Sequence, residues 1–66
     1  MTYTAQTERE TLSVHRNMLI AIGTAVMHAA ETKETTWVFA ADNDTWRLAA
    51  YTDDTQQLRV VTQLDR

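Results

Sequence analysis

Cysteine and proline are absent from this sequence of 66 residues, and glycine occurs once, at Gly23. The lack of cysteine excludes disulfide bonds and a metal site built from thiolates. Without proline or a glycine-rich stretch, the chain shows no linker, and it contains no repeat or low-complexity tract. We therefore expect residues 1–66 to form a single small domain.

Positive charge is also scarce, since six Lys and Arg residues stand against nine Asp and Glu residues, for a formal net charge of -3. Nucleic-acid binding needs clustered cations, so this balance disfavours a nucleic-acid partner. The apolar segment at residues 18–30 is shorter than the roughly 20 residues that span a bilayer. Glu8 and Glu10 precede it where a signal peptide carries basic residues. We expect a cytoplasmic protein without membrane contact.

A long helix is predicted before the middle of the chain. Thr7 followed by Glu10 fits a capping box, in which the hydroxyl and the glutamate satisfy free amides at a helix start. The β-branched residues Thr35 and Thr36 favour a strand instead. The helix is therefore expected over about residues 8–32.

Three strands are predicted after the helix, at about residues 36–41, 46–51 and 57–64, because these segments are β-branched, aromatic or alternating. The predicted fold class is α+β: one long N-terminal helix packed on a three-stranded antiparallel meander (αβββ). Residues 2–5 are interpreted as a short additional edge strand.

The pairing of these strands follows from the turns between them. A two-residue turn at Asn43–Asp44 places three pairs on one face of the sheet, which we predict to be the core face. The pairs are Ala41 with Trp46, Phe39 with Leu48, and Trp37 with Ala50. For the second hairpin, the burial pattern selects a loop of odd length, with Tyr51 opposite Gln57.

This register decides which residues are free for binding. The aromatic side chains Trp37, Phe39 and Trp46 are interpreted as core residues and not as a ligand platform, because a chain this short needs them for burial. The opposite, outer face of the sheet is half apolar and is predicted to bind a partner. Its candidate residues are Val38, Arg47, Ala49, Tyr51, Arg59 and Val61.

The predicted helix has apolar residues over more than half of its circumference, whereas a surface helix needs a stripe of about 100°. One small sheet covers one stripe, so the remaining surface is expected to contact a second copy of the chain. Small residues near Gly23 would allow another helix to approach closely. The predicted homodimer interface consists of Val14, Met18, Ile20, Ala21, Ala25 and Met27.

No motif for catalysis or metal binding is recognised. His15 falls within the apolar stripe of the predicted helix, without a nucleophile or carboxylate in a triad pattern. His28 lies on the opposite side, so the two histidines do not form a metal pair. The Asp42–Asp44 segment fails as a calcium loop, because Trp46 and Arg47 occupy positions that need a ligand and a glycine. We predict no catalytic residue, no cofactor and no metal.

These observations favour a small non-enzymatic protein that acts as a homodimer by occupying a partner's surface. Inhibitors, antitoxins and accessory proteins work in this way, and an origin in a phage or other mobile element would agree with the small size. The alternative is a nucleic-acid-binding regulator that uses Arg47, Tyr51 and Arg59 on the outer sheet face. A third hypothesis is an enzyme with a site around His15 at the dimer interface.

Overall fold

A computed structural model describes residues 1–42, 45–53, 55 and 57–61. These residues form five strands and one helix, in the order β1 (Thr2–Gln6), β2 (Thr11–His15), α1 (Met18–Thr32), β3 (Thr36–Asp42), β4 (Thr45–Thr52) and β5 (Leu58–Val60). The strands make one antiparallel sheet in the order β2-β1-β3-β4-β5. Helix α1 packs on one face of this sheet, across β1 to β4. Within the described residues, no helix has the length and apolar character needed to cross a lipid bilayer.

The predicted N-terminal helix with a three-stranded meander is wrong, because residues 2–15 form a β-hairpin and the helix lies in the middle of the chain. Thr7 Oγ1 accepts hydrogen bonds from the backbone N–H of Arg9 and of Glu10, both at 3.2 Å. The Thr7 N–H also donates to Glu10 O at 2.8 Å and closes the turn between β1 and β2. A threonine hydroxyl binds nearby amides in turns as well as in helix caps. The hydrogen bonds expected of the Thr7 hydroxyl in a helix cap are therefore formed, but in the turn of a β-hairpin.

The helix begins ten residues later than predicted. Asn17 is its N-cap, and the Asn17 Oδ1 atom accepts a hydrogen bond from the Leu19 N–H at 2.8 Å. The predicted end at Thr32 is confirmed. Lys33 follows in the left-handed conformation, with φ 64°, and its N–H donates to Ala29 O. The segment interpreted as an edge strand is β1, which lies between β2 and β3 and is not at an edge.

The predicted pairs Ala41–Trp46 and Phe39–Leu48 are confirmed. The third pair is wrong, because an irregularity in the β3–β4 ladder inserts one additional residue in β4, so that Trp37 pairs with Tyr51. The turn predicted at residues 43–44 lies outside the described residues.

The β4–β5 hairpin also differs from the predicted register. Tyr51 pairs with Arg59 and not with Gln57, although the connection between Thr52 and Leu58 has an odd length, as predicted. Asp53 holds this connection, because its Oδ1 atom accepts hydrogen bonds from the N–H and the hydroxyl of Thr55 and from the Gln57 N–H. Of the predicted strand at residues 57–64, the structure shows β5 over Leu58–Val60, and residues 62–64 lie outside the described part.

The most consequential correction concerns the two faces of the sheet. Val38 on β3 is fully buried under the helix, and side chains alternate between the faces of a strand. Trp37 and Phe39 therefore point to the face without the helix, opposite to the prediction. Of the six residues predicted to face the helix, Ala50 belongs to the core. The core consists of Ala5, Met18, Ala21, Ile22, Ala25, Val38, Ala40, Ala49 and Ala50.

Small residues explain this choice of face. Alanines on β1, β3 and β4 meet alanines on the helix, which allows the two layers to approach closely. The Thr36 hydroxyl, fully buried, donates a hydrogen bond to the backbone oxygen of Ala25 at 2.9 Å. Such a direct bond between strand and helix backbone would not form across a layer of tryptophan and phenylalanine side chains.

Candidate interaction surfaces

The face of the sheet opposite the helix carries four of the five aromatic residues, and the fifth, Tyr3, packs against the core on the helix side. Trp37 lies between Gln6 of β1 and Tyr51 of β4, and Tyr51 in turn pairs with Arg59 of β5. Residues that pair across strands share a face, so this row crosses four strands. We call the surface the open sheet face, and define it by Trp37, Phe39, Trp46, Leu48, Tyr51 and Arg59, with Val14 at its border.

This open sheet face is apolar and partly accessible to solvent. Trp46 and Val14 are each 59% exposed, and the side chains of Trp37, Phe39 and Tyr51 are half-buried. No described part of the chain packs over them as the helix does on the other side. Exposed apolar patches of this kind mark contact sites more often than the scattered apolar residues of an ordinary surface.

Among the residues that define the open sheet face, the charged one is Arg59, which lies at one corner; further charges adjoin the face beside Trp37. Arg59 Nε lies 3.6 Å from Asp53 Oδ2, and the guanidinium is more than half exposed. The pKa of Asp53 is lowered, chiefly because the Thr55 hydroxyl and the Gln57 N–H donate to its carboxylate, with a smaller effect from Arg59. A solvent-exposed pair of this type contributes little to folding. It does leave a cation beside Tyr51.

The helix presents a second apolar surface on its side away from the sheet. We call it the outer helix face; its residues are Leu19, Ile20, Gly23, Val26, Met27 and Ala30, all of which are exposed. Leu19 is 64% and Met27 67% exposed, which is high for such large apolar side chains. The molecule therefore has two apolar surfaces on opposite sides.

The residues predicted as a dimer interface are divided among three places. Met18, Ala21 and Ala25 are buried against the chain's own sheet, so the row of small residues packs within the chain. Ile20 and Met27 lie on the outer helix face. Val14 pairs with Thr4 on β1 and borders the open sheet face.

The residues predicted to bind a partner are divided as well. Val38 and Ala49 are fully buried under the helix. Arg47 pairs with Ala40 on the helix side of the sheet and lines a cleft of about 250 Å³ together with Asp42 and Met1. Val61 is exposed after β5, where its N–H donates to Ala49 O at 2.8 Å. Tyr51 and Arg59 remain together, on the open sheet face.

A polar cluster joins the turn between β1 and β2 to the segment after the helix. Arg9 Nη2 lies 2.9 Å from Glu34 Oε1, and the two residues line a cleft of about 330 Å³ beside Trp37. The hydrogen bond from Arg9 lowers the pKa of Glu34, and His28 adds to this effect. His28 Nε2 is buried 3.4 Å from the same oxygen, within ion-pair distance but without hydrogen-bond geometry.

The two histidines do not form a recognisable chemical site. His15 lies at the end of β2 and not on a helix, and its Nε2 is 2.9 Å from Ser13 Oγ. A serine nucleophile needs a histidine that is oriented by a third group, and no described Asp or Glu forms an ion pair with His15. Among the described residues, no three His, Asp or Glu side chains are grouped as metal ligands would be.

Sequence reasoning missed the open sheet face because it selected the core by hydrophobicity. The signal that could have found it was side-chain size. Small residues on β3 and β4 (Ala40, Ala49 and Ala50) lie on one face of the sheet, and the aromatic residues of the same two strands lie on the other. Comparison of the chain with protein-family models, with curated proteins and with solved structures gives no match.

Proposed function

We propose that the protein is a non-enzymatic protein-binding module that presents its open sheet face to a partner protein. The observation that carries this proposal is the placement of Trp37, Phe39, Trp46 and Tyr51 on the side of the sheet that the helix leaves uncovered. A chain this small gains stability by burying aromatic residues, so leaving four of them accessible favours a role in contact.

The composition of the open sheet face is that of a protein interface core. Such cores are enriched in Trp, Tyr, Phe and Arg and depleted in Lys, Glu and Asp. Truncation of Trp, Tyr and Arg residues also causes the largest losses of binding energy. The row from Trp37 through Tyr51 to Arg59 supplies all three residue types on adjacent strands.

Binding of this kind blocks or bridges a partner without chemistry of its own. The proposed role is therefore that of an inhibitor, antitoxin or accessory protein. A cytoplasmic location is part of this proposal, in keeping with the absence of cysteine from the sequence.

The test uses the chain as bait in a pull-down from the source cells, read by mass spectrometry. We expect a stoichiometric protein with the unmodified bait, and its loss with Trp46→Ser. The matched control is Leu58→Ser, since Leu58 is also an exposed large apolar residue but lies on the other side of the sheet. Equal recovery with both variants, or a bait that recovers only itself, would contradict the proposal.

A second candidate function is binding of single-stranded nucleic acid. The specific observation in its favour is that four aromatic residues, and not one as predicted, lie on the open sheet face, where bases stack in several RNA-binding sheets. Against it stand the net charge of -3 and the carboxylate of Asp53 beside Arg59. Arg47, predicted to take part, lies on the helix side.

Tryptophan fluorescence with single-stranded RNA and DNA oligonucleotides separates the two functions. The protein-binding proposal predicts no saturable change even at low salt. Binding that weakens steeply between about 50 and 200 mM salt and disappears in Trp37→Ser would favour the nucleic-acid function instead.

A further inference from the structure

We infer that the protein forms an antiparallel homodimer through its outer helix face, with the two helices crossing next to Gly23. This inference concerns the opposite side of the molecule from the open sheet face and does not depend on the proposed function. On a helical wheel, the outer helix face extends over roughly 120° from Val26 to Ile20 and contains no charged residue. Gly23 lies near its centre.

Gly23 has no explanation within the chain. Glycine in the interior of a helix is destabilising relative to alanine. A Cβ atom built at Gly23 would meet nothing within 4 Å, and its φ angle is not positive, so alanine would fit there without strain. What glycine does permit is the close approach of another backbone, as at the crossing point of two helices.

Arg16 and Glu31, at the two ends of the outer helix face, select the antiparallel orientation, and Lys33, the C-cap, is a third charged residue at the C-terminal end. Arg16 lies just before the helix, near the positive end of its dipole, and Glu31 lies in the last turn, near the negative end. Each charge therefore opposes the dipole of its own helix. Both side chains are exposed, and neither forms an ion pair with another described residue.

An antiparallel second copy reverses both conflicts. It brings Arg16 next to the negative helix end of the other copy, where Glu31 of that copy lies, and the two-fold symmetry repeats the contact at the other end. A parallel dimer would instead place Arg16 against Arg16 and Glu31 against Glu31. Charge complementarity therefore identifies a second copy in antiparallel orientation as the occupant of this face.

The same register also matches the apolar side chains. With the two-fold axis between Gly23 and Thr24, Ile20 faces Met27 of the second copy on the flank that carries Glu31. On the other flank, Leu19 fits between Val26 and Ala30 of the second copy, so that a large residue meets a small one. A contact one helix wide is smaller than the about 800 Å² per partner of a standard interface. We therefore expect a reversible dimer.

Sedimentation velocity over a concentration series tests the inference by charge exchange. We expect the single variants Arg16→Glu and Glu31→Arg each to raise the dimer dissociation constant about 10-fold or more, and the double variant to restore it to within about threefold. Glu10→Arg is the matched control, because Glu10 is an exposed carboxylate on the β1–β2 turn and is not part of the helix or of the outer helix face. Each single variant removes an unfavourable interaction with its own helix dipole, so the thermal unfolding temperature of the diluted monomer should not fall. Failure of the double variant to restore association would overturn the antiparallel register.

Gly23→Leu and Trp46→Ser identify which apolar surface associates. We expect Gly23→Leu to abolish the dimer while the monomer remains folded, since the structure has open space at that position. Trp46→Ser should leave the dimer unchanged. A dimer that survives Gly23→Leu, a dimer lost in Trp46→Ser, or an unmodified chain that stays monomeric at all concentrations would each overturn the inference, whatever the outcome of the pull-down.

Discussion

The two faces of the sheet differ in the size of their side chains more than in their polarity. Under the helix lie Val38, several alanines and one aromatic residue, Tyr3, whereas the other face carries two tryptophans, a phenylalanine and a tyrosine. Small residues let the helix come close enough for Thr36 to bond directly to the backbone oxygen of Ala25. This contrast indicates that a helix in a small domain covers the sheet face on which it can pack closely, and not the face with the more hydrophobic side chains.

The strongest test of this comparison places the same side chain on both faces. Ala40 and Ala41 are neighbours on β3, are nearly buried and point to opposite sides. Ala40→Leu should lower the free energy of unfolding by about 1–3 kcal/mol, because added methyl groups force the helix away from the sheet. Ala41→Leu should lower it by less than about 1 kcal/mol, since no helix lies over that face and the cross-strand partner Trp46 is itself exposed and has room to move. Urea unfolding measures both, and equal losses would show that the helix does not pack as closely as described.

A second pair of variants tests polar groups on the helix side. Thr36 and Thr52 pair across β3 and β4 and are both buried, but only the Thr36 hydroxyl has a hydrogen-bond partner among the described residues. Thr36→Val should destabilise the fold by about 1 kcal/mol, because it leaves the bond to Ala25 O unmade. Thr52→Val should be neutral or stabilising by up to about 1 kcal/mol, because it removes a buried hydroxyl without a partner. If both variants lowered the thermal unfolding temperature, the assignment of a hydrogen-bond partner to Thr36 and not to Thr52 would be contradicted.

The smallest expected effect concerns pH and the polar cluster beside the helix. The pKa of Glu34 is lowered from its ordinary value of 4.5, mainly by the hydrogen bond from Arg9. A lowered pKa means that the carboxylate stabilises the folded state above its ordinary pKa, and that this contribution disappears as the pH falls through the folded-state value. Glu34→Gln should therefore reduce the loss of stability between about pH 5 and pH 3, by a small amount because Arg9 is 77% exposed.

Arg9→Gln provides the matched control, since it removes the hydrogen-bond donor that lowers the pKa of Glu34 and leaves the carboxylate in place. Its acid unfolding curve should show the same small reduction as that of Glu34→Gln. Curves of both variants that match the unmodified chain would mean that the Arg9 contact does not persist in solution.

Local patterns predicted several elements of the chain but not which face of the sheet the helix covers. Strands β3 and β4, their two pairs Ala41–Trp46 and Phe39–Leu48, and the end of the helix at Thr32 all follow from residues close together in the sequence. Residues 8–17 were mispredicted as helix, because the hydroxyl of Thr7 can cap a helix or close a turn with the same hydrogen bonds, whereas the strand at residues 2–5 was predicted but assigned to an edge. For the candidate site, Tyr51 and Arg59 were correctly kept out of the core, whereas Trp37, Phe39 and Trp46 were not.

An apolar surplus, beyond what one helix and one small sheet can bury, follows from the sequence, because it depends on which residues are present and how they alternate. The location of this surplus follows from the fold. The insertion of β1 between β2 and β3 pairs residues 2–6 with residues 37–41, a contact between distant segments that no local pattern contains. The helix then covers the face whose side chains are small enough for close approach, and the aromatic residues are left on the other side.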